Sequence, residues 1–471
     1  TYHRILSEKD NYGASKMGEG KTICLDYSSI NIAKPFHIGH LSTTVLGGAL
    51  YRIFNYLGYK VVGINHLGDY GTQFGKLISA YKRWGDKETI EKGGIRALNE
   101  LYVKFHQEAE EHPEYDDEAR AYFKKIEQGD EECQALFHWF KDLTLKDVQK
   151  IYDMLDIHFD SYAGESFYSD KMQPVVDELR EKNLLVESRG AQVVDLEAYN
   201  MPPCIILKSD GSSLYATRDM AAATYRKNTY DFYKCLYVVA YQQNLHFKQF
   251  FKVLEMMGKD WAKDLVHVAY GMVSLEEGTM STRKGNVVFL EDVINKCIEK
   301  AYKIIDEKNP NLENKEAVAE AIGVGAIVFY YLTNNRIKDI NFSLEEALSF
   351  EGNTGPYVQY TYARACSVLS RAGEVVDAPV QITTEEEAAL VKTLCRFGER
   401  VCSAIADYEP SYITRFILDV AAAFNRFYHN CTILGADDPA VRASRVKLTE
   451  ATKIVLGNAF DLICLSKTEK V

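Results

Sequence analysis

A β-α-β pattern near the start of the chain constrains its fold more than any other feature. Ile23-Cys24-Leu25-Asp26-Tyr27 is an apolar run of strand type. Leu41 to Leu57 repeats apolar residues at helical spacing, and Gly58 stands where a helix-ending glycine belongs. Lys60-Val61-Val62-Gly63-Ile64-Asn65 is the next strand. Strands joined through a helix lie parallel, with a right-handed crossover. The pattern returns later in Cys235–Ala240 and Leu265–Val273, both apolar enough for buried parallel strands. The expected fold class is therefore α/β, built on a parallel sheet. In such sheets ligands bind at the carboxyl ends of the strands. The stretches Asn31–His40 and His66–Asp69 both fall there.

Other segments hang on this frame. Residues 76–160 carry charge-rich helical patterns and little strand signal, as a helical insertion would. Gln192–Leu196 and Cys204–Lys208 read as strands, Asp210-Gly211 as a turn, and Leu214–Arg226 as a helix. From Leu290 the chain is helical almost to its end, punctuated at Asn309-Pro310, Gly352 and Gly355-Pro356. Tyr412–Leu434 is a helix rich in aromatics. The expected organisation is a tail (1–20), a parallel-sheet domain (21–289), a helical connection (290–350) and an all-α domain (351–471).

Composition narrows the function. A chain of 471 residues, 46 % hydrophobic, can bury a sizeable core in two or three domains. No apolar run of about 20 residues predicts a membrane span. Ten Cys without a Cys-x-x-Cys pair read as buried thiols in a reducing cytoplasm. A net charge of −12 argues against coating nucleic acid by bulk charge. Residues 351–471 hold 13 Lys+Arg against 15 Asp+Glu, so any RNA contact there is local. The acidic run Glu108–Glu118 reads as a solvated face.

Two segments carry chemistry. The first is Asn31-Ile32-Ala33-Lys34-Pro35-Phe36-His37-Ile38-Gly39-His40, between a strand and a helix N-terminus. Backbone N–H groups and the helix dipole suit phosphate there. His37 and His40 can donate to oxygens that gain negative charge, and Gly39 leaves room for a flat ring. Lys34 adds a mobile cation. The second is Met280-Ser281-Thr282-Arg283-Lys284-Gly285-Asn286, a glycine-flanked loop after a strand. By itself it reads equally as a basic surface turn. Tyr215 and Asp219 share one helix face. Asp219 alternatively pairs with Arg218 or Arg226, or caps a helix. Asp69 is either a helix N-cap or a substrate contact.

Together the two segments resemble the signatures of class I aminoacyl-tRNA synthetases. Ser29–Leu41 and Gly68-Asp69-Tyr70-Gly71-Thr72-Gln73-Phe74-Gly75 resemble arginyl-tRNA synthetase of bacterial type in particular, and the resemblance covers nearly the whole chain. It implies a Rossmann-like catalytic domain and a helical anticodon-binding domain. It also implies a further N-terminal domain; this sequence starts where that domain would end. The implied reaction joins arginine to ATP as an adenylate, with Mg²⁺, then passes arginine to the 2′-OH of the terminal adenosine of its tRNA. The implied catalytic residues are His37, His40, Lys34 and Lys284. ATP would meet Gly39, His37, His40, Ser281, Arg283, Lys284 and Met272. Arginine would meet Asn31, Glu165, Tyr215, Asp219 and Gln243, since a guanidinium wants carboxylates in a partly dry cleft. No resident metal site is expected. The second segment departs from the usual Lys-Met-Ser-Lys-Ser: Thr279 and Thr282 replace both lysines, and Lys34, Lys284 or Arg283 would supply the missing charge. The expected state is a cytoplasmic monomer without a membrane partner. Alternatives are another class I synthetase, a small nucleotidyltransferase sharing His-x-Gly-His, or a non-catalytic tRNA-binding paralogue. Length and the helical C-terminal third argue against the small transferase. The absence of Cys/His clusters and the Tyr215–Asp219 helix argue against cysteine specificity.

Overall fold

The computed structural model describes residues 2–276 and 288–471. Helix α1 (Tyr2–Glu8) precedes strand β1 (Thr22–Asp26), helix α2 (Gly39–Tyr56) and strand β2 (Lys60–Ile64), the unit expected from the sequence. Four helices follow: α3 (Thr72–Trp84), α4 (Lys87–Glu111), α5 (Glu114–Glu127) and α6 (Glu131–Leu155). Asp86 and Asp130 cap α4 and α6 by accepting from the N–H groups of Thr89 and Cys133. Helix α7 (Met172–Glu181) leads to a small antiparallel sheet of β3 (Leu185–Ser188), β4 (Ala191–Val194) and β5 (Cys204–Leu207). Then come α8 (Tyr215–Tyr230), β6 (Lys234–Ala240), α9 (Asn244–Met256) and β7 (Leu265–Tyr270).

Strands β2, β1, β6 and β7 form one sheet in that order, every pair parallel. Residues on both faces of β1 are buried, which is why its sequence is apolar without alternation. Helix α2 lies between this sheet and helices from the far end of the chain, so it too is apolar nearly all round.

The expected strand Leu265–Val273 is two strands. The Gly271 N–H donates to Arg336 O at 2.8 Å, and β8 (Val273–Leu275) pairs in parallel with β9 (Ile340–Phe342). A hydrogen-bonding partner far along the chain diverts a run that is locally continuous. Strand β9 also interrupts the otherwise helical second half.

That half contains α10 (Leu290–Lys308), α11 (Lys315–Thr333), α12 (Leu344–Ala347), α13 (Gly355–Ala372), α14 (Glu385–Cys395), α15 (Phe397–Ala406), α16 (Ser411–Asn430) and α17 (Pro439–Leu462). Helix α11 corrects the expectation that no segment has the make-up of a membrane span. It is long and apolar enough, and it is packed against α10, α13 and α16. Residues 1–20 are more than a tail. Tyr2 is buried and its Oη donates to Ser444 O at 2.9 Å, while Asn458 Nδ2 donates to Lys9 O at 2.8 Å. In the acidic run, Glu110, Glu111, Glu114 and Asp117 are exposed, whereas Glu118 turns inward to Ser79 and Arg83. All ten cysteines are free and seven are buried; Cys395 and Cys402 depart from expectation by being exposed, and Cys464 is half-buried.

Candidate active site

The turn between β1 and α2 fixes two imidazoles through its own backbone. The Gly39 N–H donates to His37 Nδ1 at 3.0 Å, and the His37 N–H donates to His40 Nδ1 at 3.1 Å. With Nδ1 of each ring accepting, the proton of each neutral ring sits on Nε2. Burial lowers the pKa of both, and for His40 the neighbouring His37 and Lys34 lower it further. Two neutral rings, 4.0 Å apart at their centroids, thus carry one N–H donor each on the nitrogen the backbone leaves free. A Cβ on Gly39 would fall 2.7 Å from His37 Cε1. The flat ring that Gly39 accommodates is therefore the imidazole of His37.

A cavity of about 600 Å³ opens at the carboxyl ends of β1, β2 and β6. His40 is on its wall, and so are Asn31, Glu165, Tyr215, Asp219 and Gln243. Asp219, on α8, accepts a hydrogen bond from His246 Nε2 at 2.5 Å. It pairs with neither Arg218 nor Arg226, and it caps no helix. Burial works against its charge, but His246, with His66 and Arg226, holds its pKa below the ordinary carboxylate value. Glu165 lies 3.3 Å from Arg218, whose guanidinium stands 4.8 Å from the Tyr70 ring and 5.6 Å from the Tyr215 ring. Burial pushes Glu165 up to about 7; Arg218 opposes the rise, and Asp219 and Asp69 add to it. Tyr215 is 66 % exposed, a wall of the mouth rather than a closed cover. Asp26 is also on the cavity wall, where it pairs with Arg226 at 2.9 Å and accepts from Ser29 Oγ at 2.6 Å.

Several expected residues lie off this wall. Lys34 is half-buried, its pKa lowered by burial and by Lys76, with Glu165 opposing. His37 touches the cavity only through His40. Met272 is exposed, and its N–H donates to Asp339 Oδ1 at 2.7 Å. Ser281, Arg283 and Lys284 lie outside the described residues. The chain that follows them returns to the first segment: Phe289 bridges to His37, and the Leu290 N–H donates to Phe36 O at 2.9 Å. Sequence reasoning missed His246. Its signal was Gln243-Asn244-Leu245-His246, a polar residue and an imidazole three apart on the first turn after a buried strand. It also missed Asp26, the one acid inside an otherwise apolar strand. Asp69 caps nothing, for α3 starts at Thr72 behind Gly71.

Residues 1–344 match the family described as tRNA synthetases class I (R), catalytic domain, and residues 358–471 match the DALR anticodon binding domain. The arginine–tRNA ligase of Clostridioides difficile (strain 630) is 56 % identical over 471 residues, covering 99 % of this chain and 83 % of the relative. This chain belongs to the arginyl-tRNA synthetase family. The ligase of Clostridium perfringens (strain 13 / Type A) is 56 % identical over 472 residues, covering 99 % and 84 %. Among solved structures, arginyl-tRNA synthetase from Plasmodium falciparum has a TM-score of 0.82 at 26 % identity, covering 97 % of this chain and 78 % of that one. The Thermus thermophilus structure has a TM-score of 0.82 at 24 % identity, covering 100 % and 86 %, a likeness of fold. The synthetase joins arginine to tRNA at the expense of ATP.

Its helical domain has a second concavity, of about 500 Å³, between α13, α16 and the C-terminal residues. Arg364 stands 5.1 Å from the ring centre of Tyr360 and 4.7 Å from that of Tyr428, and its Nη1 donates to Asn425 Oδ1 at 2.6 Å. Of the aromatics on α16, Phe427 is fully buried and belongs to the core. Tyr412 is half-buried and donates to Asp407, while Tyr428 lines the concavity.

Proposed function

We propose that this synthetase activates arginine in the β1–β2–β6 cavity. Asp219 and Glu165 bind the guanidinium, and Tyr215, Asn31 and Gln243 bind the rest of the amino acid. The arginine carboxylate attacks the α-phosphorus of ATP, and pyrophosphate leaves. His37 and His40 donate from Nε2 to the oxygens that gain charge, with Gly39, Met272 and the Ser281–Lys284 segment also meeting ATP. Lys34 and Lys284 supply the positive charge that Thr282 does not. The 2′-OH of the tRNA terminal adenosine then takes the acyl group. Among the described residues no three acidic, His or Cys side chains converge on a metal site. Mg²⁺ would come with the ATP phosphates, keeping most of its waters and neutralising part of their charge.

Residues 21–289 act as the catalytic domain, with the insertion at about 76–160. Residues 290–350 connect it to the anticodon-binding domain at 351–471. The Tyr360–Arg364–Tyr428 concavity offers unpaired bases a stacking surface and a cation. We further infer a cytoplasmic monomer with no membrane partner. Free, mostly buried thiols support the compartment.

One observation carries the substrate assignment: Glu165 and Asp219, two of the three carboxylates on the cavity wall, come from distant parts of the chain and meet there with His40. Asp219→Asn removes charge and keeps size. Leaving a partly buried cation without its counter-ion costs about 3–5 kcal/mol, so the arginine KM should rise by about two to nearly four orders of magnitude. The ATP KM should stay near its native value. Aminoacylation of total tRNA, with arginine, lysine and citrulline compared, checks this. An unchanged arginine KM rejects Asp219 as the guanidinium partner.

A further inference from the structure

We propose that Asp69 is a positioning residue for Glu165, and that Lys141 of helix α6 holds it in place. The inference rests on the reading of Glu165 as an arginine-binding carboxylate. Asp69 is not on the cavity wall. Its carboxylate is fully buried and occupied by three donors. The Ser166 N–H donates to Oδ1 at 2.8 Å, Ser166 Oγ donates to Oδ2 at 2.7 Å, and Lys141 Nζ stands 2.9 Å from Oδ2. Glu165 is next to Ser166, and its own N–H donates to Leu67 O at 2.8 Å. On its other side is Gly164, where a Cβ would fall 2.4 Å from Leu67 O and 2.7 Å from Asp69 Oδ1. The three residues 164–166 are thus pressed and bonded onto 67–69, and Glu165 has little freedom to choose where its side chain starts.

A buried carboxylate requires a counter-charge, and here it comes from the helical insertion. The same helix holds two other active-site segments. Thr144 Oγ1 accepts from the Ala33 N–H at 3.0 Å, beside Lys34. Tyr152 Oη meets Ser28 Oγ at 2.7 Å and Asn65 Nδ2 at 2.9 Å, at the ends of β1 and β2. Of these grips, the one through Tyr152 reaches Ser28 on the cavity wall, and the one through Lys141 and Asp69 reaches the segment that carries Glu165. Loss of this last grip should affect arginine recognition selectively, through the placement of Glu165 relative to Asp219.

The test compares Asp69→Asn, Lys141→Met, Lys141→Arg and Glu165→Gln in steady-state aminoacylation, with separate KM values for arginine and ATP. Asp69→Asn and Lys141→Met should raise the arginine KM by about tenfold or more, about 1.4 kcal/mol. The ATP KM and kcat should stay within about twofold, and Lys141→Arg should recover most of the loss. A general structural defect would raise both KM values together, and that result overturns the proposal. So does an unchanged arginine KM in Asp69→Asn and Lys141→Met where Glu165→Gln raises it, or a Lys141→Arg protein no better than Lys141→Met. If Asp69→Asn does not fold, the Lys141 pair decides. If Glu165→Gln itself leaves the arginine KM unchanged, the reading of Glu165 fails first and the positioning role with it.

Discussion

The imidazole end and the carboxylate end of the cavity are held by opposite means. His37 and His40 are fixed by N–H groups two or three positions away, within a single turn. Glu165 and Asp219 come from separate elements, and each already faces a group of the protein, Arg218 or His246. The first end is pre-organised by covalent neighbourhood and carries no net charge on its rings. The second is pre-organised by tertiary pairing and carries its charges in compensated form. A substrate guanidinium entering there competes with internal partners; a phosphate oxygen at the other end meets donors with no rival in the turn itself.

On this contrast, the largest effect on turnover should come from the imidazoles. His40→Ala or His37→Ala removes a pre-set donor, and one such donor is worth about 2.7–4 kcal/mol, or two to three orders of magnitude in kcat. Single-turnover adenylate formation should fall while the arginine KM moves little. Near-native rates in a folded variant would dissolve the distinction between the ends.

A smaller effect should follow pH. Glu165 has its pKa raised to about 7, and arginine prefers the ionised carboxylate. Binding below that pH therefore expels a proton. The arginine KM should rise as pH falls through 7, approaching about tenfold per pH unit. Glu165→Gln should flatten this profile while leaving the imidazole-dependent rate in place. A native profile already flat from about pH 5 to 8 would show that the carboxylate end is not charge-controlled.

The imidazole end was legible in the sequence because its geometry is local. Strand, turn and helix N-terminus follow from hydrophobic spacing, and the His-Ile-Gly-His order places both rings. The carboxylate end was legible only through resemblance. Nothing near Asp219 in the sequence names His246 as its partner, and its neighbours Arg218 and Arg226 turn to Glu165 and Asp26 instead. Asp69 read as either a helix cap or a substrate contact because a helix follows it; its actual partners are 72 and 97 positions away. The break after Tyr270 was hidden for the same reason. On α16 the sequence does not announce which ring faces inward: Phe427 is buried in the core, whereas Tyr428 lines the concavity.

The smallest effect belongs to the helical domain, which can sharpen the comparison by standing outside it. Arg364→Ala removes a cation from two rings. At about 0.5–1 kcal/mol for one cation–π contact that this half-buried guanidinium would offer a base, tRNA affinity should weaken about two- to fivefold. The KM values for arginine and ATP should not change. Direct tRNA binding measurements check this, and an equal loss in arginine KM would tie the groove to the cavity.

The locked imidazole tautomers bear on turnover. A neutral donor grips a resting phosphate weakly and a developing anion more firmly, so its contribution grows along the reaction coordinate and fades once pyrophosphate has formed and taken up water and metal ions. Permanent cations at the same two positions would hold the departing product as tightly as the incoming nucleotide. By setting both rings as uncharged Nε2–H donors, the turn between β1 and α2 favours release, and leaves the work of attraction to cations elsewhere in the chain.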